Sequence, residues 1–320
     1  MNSEVESRLS FLRREIERHN RLYFDDAAPE ISDREFDKLV DECIALGGPQ
    51  DAVSEPMKST TARTLGSALH LSTQKVYGED ELRKFDQAVK KRLKIGYNPE
   101  YVLEEKIDGA AVSLRYQNGI LVSGSTRGGN DITAHCFAMP AVPKELLPFK
   151  GNQLEVLEVR GRIYAHYDDI EKVRLPTDPT TFSISLSSDG SVTAGERFYN
   201  GPREMAVGSL QTMDSEVVGS RPLHLFVNEV GETETDVPWT YGELLKMFSE
   251  VGLPVNPSWR FCRSIDEVIE KMPSVMLATK TAAYPVAGID VMVDCLDWWP
   301  KLGTTAKYPK WMVTYLGSGD

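Results

Sequence analysis

Residues 103–109 read Leu-Glu-Glu-Lys-Ile-Asp-Gly, and the Lys-x-Asp-Gly within that run has the makings of a phosphorus-directed nucleophile. A lysine amine attacks an activated phosphorus only when neutral, which requires burial or neighbouring positive charge. Asp108, two residues beyond Lys106, shares its face on an extended chain and can orient a ribose hydroxyl. Gly109 has no Cβ and lets the backbone come close to a ligand. The run Ser-Thr-Arg-Gly-Gly-Asn at 125–130 follows on the partner strand, where the planar fork of Arg127 suits a phosphate or ribose. Alone, four residues are a weak pattern, and a surface lysine beside a turn satisfies it equally.

The elements around this run are legible from periodicity. Leu9, Leu12, Ile16 and Leu22 recur at helical spacing over 4–22. A second helix starts at Ser32, which with Glu35 has the form of a capping box, and carries the stripe Phe36, Leu39, Val40, Cys43 as far as Gly47-Gly48-Pro49. Residues 50–75 read as a linker or an extended connection, and 79–94 as a charged helix with acids at its start and bases at its end, as the helix dipole favours. From residue 100 the texture becomes strand-like: 101–103, 110–116, 120–123, 154–159, 163–166, 223–227 and 286–293. Asn118-Gly119 is the firmest turn, since a type I′ hairpin needs φ > 0 at both central positions. The Thr/Ser/Gly-rich stretch 176–201 reads as an exposed excursion, and helices return at 241–251 and 265–278. The expected class is α+β, with a helical cap before a β-rich body.

Composition narrows the chemistry. At 320 residues the chain has room for two domains, and 41% apolar residues suffice for a sizeable core. The 36 Lys and Arg against 48 Asp and Glu give −12, which argues against a surface that coats nucleic acid or anionic membrane. No apolar run is long enough to span a bilayer, and the charged start is no signal peptide, so a cytoplasmic location without membrane contact is expected. Cys43, Cys136, Cys262 and Cys295 lie far apart and read as buried free thiols. His19, His70, His135, His166 and His224 are scattered without metal spacing and read as structural or surface histidines. No metal-ligating set is expected. Trp298, Trp299, Trp311 and Tyr315 could stack on a base but read more simply as core.

Taken together, Lys106-Ile107-Asp108-Gly109-Ala110-Ala111-Val112-Ser113, the Asn118-Gly119 hairpin and Thr126-Arg127-Gly128 resemble the nucleotidyltransferase core of DNA ligases and capping enzymes. More narrowly, they resemble the adenylation domain of NAD-dependent bacterial DNA ligases. Tyr23-Phe24 followed by Ala28-Pro29-Glu30-Ile31-Ser32-Asp33-Arg34-Glu35-Phe36-Asp37 is similar to that family's N-terminal signature, and Leu157–Gly161, Pro202-Arg203, Ala206–Leu210 and Leu302–Trp311 follow in family order. The resemblance implies a small helical NMN-binding domain with linker over 1–70 and, over 71–320, a nucleotidyltransferase domain of antiparallel sheets flanked by helices, the ATP-grasp-like ligase core. It implies that Lys106 becomes adenylated by NAD with release of NMN, for sealing of nicked DNA. Tyr23, Phe24, Asp33, Phe36 and Asp37 would hold the NMN half. Asp108 and Arg127 would bind ribose and phosphate, Gly109 would allow close approach, Glu104, Leu71 and Ser72 would lie near the adenine, and Arg203 would face a phosphate. Mg²⁺ would be held mainly by phosphates and water.

The departures fall on functional positions. The family's glutamate after Arg-Gly is Arg162, its adenine-packing aromatic is Asn228, and a second arginine is Gln211. Its Asp-Gly-Val-Val-Ile-Lys strand aligns with 287–292, so the acid becomes Ala287 and the lysine Met292, and the last strand's lysine is Leu316. Asp290 takes the carboxylate role only if the register slips. Two other readings therefore stand beside the first: a weakened ligase-like protein that binds NAD or nicked DNA as a subunit, and a nucleotidyltransferase with a non-DNA target. The family's oligonucleotide-binding, zinc-finger, helix-hairpin-helix and BRCT modules have no counterpart in this sequence. DNA contact is then expected to be poor alone and to come through a protein partner carrying such modules.

Overall fold

The computed structural model describes residues 3–24, 30–31, 33–46, 63–64, 72–173, 184–186, 192–194, 199–305 and 308–317. At the front, α1 (Ser3–Phe24) and α2 (Asp33–Ala45) pack as a pair. Leu9, Leu12 and Ile16 of α1 meet Val40 and Cys43 of α2 in a small core of their own, with Phe36 and Leu39 half-buried against it. Arg8 grips Glu42 across the pair with bonds of 2.6 and 2.8 Å. Both groups are exposed, so this contact aligns the helices more than it stabilises them. Both helices fall where periodicity puts them; Ser32, the expected cap, lies outside the described residues.

Among the described residues the body holds two five-stranded sheets. The first runs β1 (Arg63–Thr64), β9 (His224–Thr233), β6 (Val156–Tyr164), β4 (Ala110–Gln117), β5 (Ile120–Thr126). The second runs β10 (Arg260–Cys262), β3 (Tyr101–Ile107), β11 (Val286–Val293), β12 (Met312–Tyr315), β2 (Gln74–Val76). Pairing is antiparallel except between β12 and β2. A separate hairpin joins β7 (Ile184–Leu186) and β8 (Val192–Ala194) inside the stretch expected as an exposed excursion. Arg63 and Thr64 pair with Thr233 and Glu232, so the first sheet takes in residues from the segment read as a linker.

Alternation explains the sheets. In β4, Ala110, Val112, Leu114 and Tyr116 are buried and their neighbours are not, the mark of a strand with one face on the core. β3 and β11 are buried almost throughout, as central strands covered on both faces. The hairpin at Asn118-Gly119 has φ of 51° and 77°, as a two-residue I′ turn demands. Helices α3 (Glu79–Leu93), α4 (Tyr241–Glu250) and α5 (Ile265–Thr279) flank the sheets. The hydroxyls of Thr240 and Ser264 cap the last two, accepting from the amides of Glu243 and Glu267. Trp299 and Trp311 are buried and stacked 5.1 Å apart, and Trp299 Nε1 donates to the Val293 carbonyl. They are core, as the simpler reading held.

One sequence expectation fails. The two strands read at 154–159 and 163–166 are a single strand, β6, which runs straight through Gly161. A Cβ there would sit 2.1 Å from the Phe226 carbonyl oxygen, so this glycine marks a close approach of β9 rather than a break. Gly161→Ala is therefore expected to destabilise the body by about 1–3 kcal/mol or more, because backbone atoms must move. A thermal melt reads this as a loss of several degrees; an unchanged midpoint would show that β9 yields freely.

Candidate functional site

Lys106 lies near the end of β3, and Asp108-Gly109 carry the chain from the second sheet into β4 of the first. The two sheets thus meet at the Lys-x-Asp-Gly run. Beside it is a cavity of about 130 Å³ whose walls include Lys106, Arg127, Arg160, Arg162, Glu104, Glu229, Asn228, Tyr241, Asp290 and Met292.

The Lys106 ammonium donates to the hydroxyls of Thr73, just before β2, and Thr314 of β12, the latter at 3.1 Å. Asp290 Oδ1 lies 3.8 Å from Nζ and accepts from the Thr314 hydroxyl. A local register shift in β11 puts it there. Asp290 pairs with Glu104 across β11 and β3, Met292 with Val102, and an irregularity between Val286 and Ile289 absorbs the offset. Side chains two apart share a strand face, so Asp290 and Met292 both reach the cavity while Ala287 stays exposed.

Acids line the wall behind the lysine. Burial pushes the Glu104 carboxyl up to about 8, with Asp290, Glu229 and Glu105 adding repulsion. The Tyr241 hydroxyl lies 2.5 Å from Glu104 Oε2 and 2.8 Å from the Asn228 carbonyl, and it has only one proton to give. Burial also pushes Glu229 to about 8, against the pull of Arg160 and Arg162. Glu105 is held apart, accepting from Asn256 Nδ2 at 2.9 Å and the Tyr284 hydroxyl at 2.8 Å.

A raised carboxyl gives a signed pH dependence. The folded state favours the protonated form, so the contribution is full below the ordinary glutamate pKa and is lost as pH rises through about 8. Glu104→Gln keeps the shape and an acceptor for the Tyr241 hydroxyl without the titrating proton. Between about pH 5 and 9 the parent is expected to lose several degrees of melting temperature relative to this variant. Parallel melts with equal slopes against pH would show Glu104 ionising without penalty.

The basic groups face the same space. Arg127 follows β5, its amide donating to Ala111 at 3.2 Å. Arg160 Nε binds Glu158 at 2.9 Å, while its buried Nη1 has no hydrogen-bond partner among the described residues, nor has Thr126 Oγ1. An orphaned guanidinium nitrogen suits a phosphate or ribose oxygen. Arg162 Nη1 lies 3.5 Å from the Gly109 carbonyl.

Of the residues read from sequence, Lys106, Glu104 and Arg127 share the cavity. Asp108 and Arg203 are joined in an ion pair of 2.5 Å, Arg203 standing in the first turn of the helix Pro202–Leu210. A Cβ on Gly109 would meet the Ile163 carbonyl oxygen at 2.3 Å, so the approach this glycine permits is that of β6. Ser72 is exposed, and it is its neighbour Thr73 that touches Lys106. Phe36 packs within the helical pair. The side chains of Tyr23, Phe24, Asp33 and Asp37, and Leu71 altogether, lie outside the described residues. Among the replaced positions, Arg162, Asn228 and Met292 line the cavity; Gln211 is an exposed helix end, and Leu316 follows β12 half-buried. Sequence reasoning gave no site role to Thr73, Thr314, Tyr241, Arg160 or Glu229, which strand pairing and the start of the helix Tyr241–Glu250 bring together from distant parts of the chain. Nor did it join His166, Asp169 and His224, which converge where β6 ends and β9 begins.

Residues 63–316 match the family described as NAD-dependent DNA ligase adenylation domain, and residues 2–49 that described as DNA ligase-like, N-terminal NAD+-binding domain. Among curated relatives, a DNA ligase of Desulforamulus reducens is 33% identical over 329 aligned residues, 98% of this chain and 46% of its own length. One from Carboxydothermus hydrogenoformans is 34% identical, covering 97% of this chain and 46% of its own length. The chain spans about half the length of the curated relatives it matches. With the Lys-x-Asp-Gly lysine set between two sheets and one family covering most of the sequence, this chain belongs to the NAD-dependent DNA ligase adenylation-domain family.

Proposed function

We propose that this chain is the NAD-binding and adenylating body of a divergent DNA ligase. Lys106 Nζ attacks the adenylyl phosphorus of NAD⁺; the N–P bond forms, the bond to the NMN phosphate oxygen breaks, and NMN leaves. The observation that carries this reading is Lys106 held on a cavity wall shared with Arg127, Arg160 and Arg162. The orphaned Arg160 Nη1 supports a nucleotide there, and the front pair's match to an NAD⁺-binding domain supports NAD as donor. Tyr23, Phe24, Asp33, Phe36 and Asp37 are assigned to the NMN half. Asp108, Gly109, Leu71, Ser72 and Arg203 are assigned to the adenylate.

The proton on Nζ must leave before attack. Thr314 accepts from Nζ and donates to Asp290, which gives a short relay from amine to carboxylate. The arginines then face the charge that develops on the departing phosphate. The carboxylates fit a phosphate-borne Mg²⁺ better than a protein cage, since Glu104 and Glu229 are pushed towards neutrality. When bound, Mg²⁺ supplies charge neutralisation at the pyrophosphate oxygens. Sealing would pass AMP to a 5′-phosphate at a DNA nick, with DNA held through a partner or modules beyond these residues. No helix among the described residues is long and apolar enough to cross a membrane, and a cytoplasmic site of action accords with this reading.

A second reading rests on one observation: Met292 and Leu316 stand where the family has lysines, and a carboxylate lies close to Lys106. A chain so altered binds NAD and transfers AMP slowly or not at all. Incubation with NAD⁺ and Mg²⁺ followed by intact mass separates the two. One added AMP supports adenylation; a rise in melting temperature without added mass supports binding alone; neither defeats both.

A further inference from the structure

Away from the adenylation cavity, two histidines and an aspartate converge. His166 follows β6, Asp169 lies in the 3-10 turn Tyr167–Lys172, and His224 opens β9. One ligand atom from each lies within 4.8 Å of the others. The imidazoles are stacked 3.9 Å apart and only 8° from parallel, and His224 Nε2 is 3.4 Å from Asp169 Oδ2. We propose that His166, Asp169 and His224 form a site for a divalent transition-metal ion of the Zn²⁺ or Co²⁺ class.

Two imidazoles and one carboxylate make a three-ligand site that leaves positions for water, and the donor set favours zinc-like ions over magnesium. Bonds of 2.0–2.1 Å in a tetrahedron put ligand atoms about 3.3–3.4 Å apart, so the rings must close in and tilt out of their parallel stack for both lone pairs to meet one ion. Half-exposed rings can make that movement. Lys172 donates to Asp169 Oδ1 at 2.7 Å, which leaves Oδ2; its side chain is 63% exposed and can turn into solvent.

The position gives the ion something to do. β6 and β9 pair at Tyr164 and His224, so an ion would clip the strand ends to the turn that follows β6. Tyr164 stacks on Phe226 at 4.9 Å, and Phe226 lines the adenylation cavity. Loading the site would therefore stiffen one wall of that cavity without touching Lys106.

The test uses the whole chain, stripped with EDTA and titrated with Zn²⁺ by calorimetry and with Co²⁺ by visible absorption. One ion per chain is expected, with a rise in melting temperature that EDTA reverses. Losing a direct ligand costs at least what losing an outer-shell partner does, so His166→Gln and His224→Gln should each weaken binding by about 10–100-fold or more. Lys106→Ala should leave it unchanged. His166 lies outside the strand, so its variant stands even if a change at His224 disturbs folding. Wild type that binds no Zn²⁺, or histidine variants that bind it as tightly as wild type, would overturn the site and leave an ordinary histidine–carboxylate pair.

Discussion

Lys106→Ala is expected to abolish the AMP adduct altogether while leaving NAD able to raise the melting temperature. Among the described residues of the cavity wall, Lys106 is the lysine, and arginine cannot replace it because a guanidinium is never neutral at usable pH. Lys106→Arg should therefore be as inert as the alanine variant, although it keeps the charge. The change carries a structural cost. The Asp290 side chain, 9% exposed, loses its neighbouring ammonium, and the hydroxyls of Thr73 and Thr314 lose a donor. That costs about 1–3 kcal/mol, so circular dichroism and a melt must accompany the mass measurement. Binding and transfer then separate cleanly. Free NAD at about a hundred times its dissociation constant stabilises the native state by about 2.7 kcal/mol whether or not AMP moves. An adduct that persists in Lys106→Ala would place the nucleophile elsewhere and remove the basis of the proposed reaction.

How much of this was legible before the structure depended on the range of the interactions involved. Local signals were read well: the heptad-like stripe from Leu9 to Ile16, the Asn118-Gly119 turn and the acidic start and basic end of α3 are written within a few residues. Strand 286–293 falls where its apolar run puts it. The nucleophile was legible too, because Lys-x-Asp-Gly is contiguous. What is brought together by pairing was not. Asp290 reaches Lys106 through the register of β11 against β3 and β12, and a sequence alignment alone gave it the wrong face. Gly161 misled for the same reason: its role depends on a carbonyl of β9, which no local window contains. Thr73 and Thr314 lie at opposite ends of the body sequence and meet only because β2 joins β12. His166 and His224 show no metal spacing along the chain, since it is strand pairing that sets them side by side.

Met292→Lys should raise the rate of adduct formation, by about 10²–10³-fold if the missing cation is what limits it. Met292 is two residues beyond Asp290 on the same face of β11 and lines the cavity, so a lysine there has a route to the nucleotide phosphates. Two effects act in the same direction. A donor placed where phosphate charge develops stabilises the transition state rather than the bound substrate. A second ammonium near Lys106 also opposes the pull of Asp290, and each unit by which it lowers the Lys106 pKa gives about tenfold more neutral amine. Stability runs the other way, because Met292 is only 4% exposed and a buried ammonium is poorly solvated. The long stem can carry the charge into the cavity, where Glu229 and the nucleotide itself compensate it. Met292→Leu is the control, matched in volume and expected to change neither rate nor adduct yield. Single-turnover mass measurements across the three proteins decide the matter. A lysine variant that melts normally and forms the adduct no faster than the parent would show that the charge lost at this strand is not what holds the reaction back.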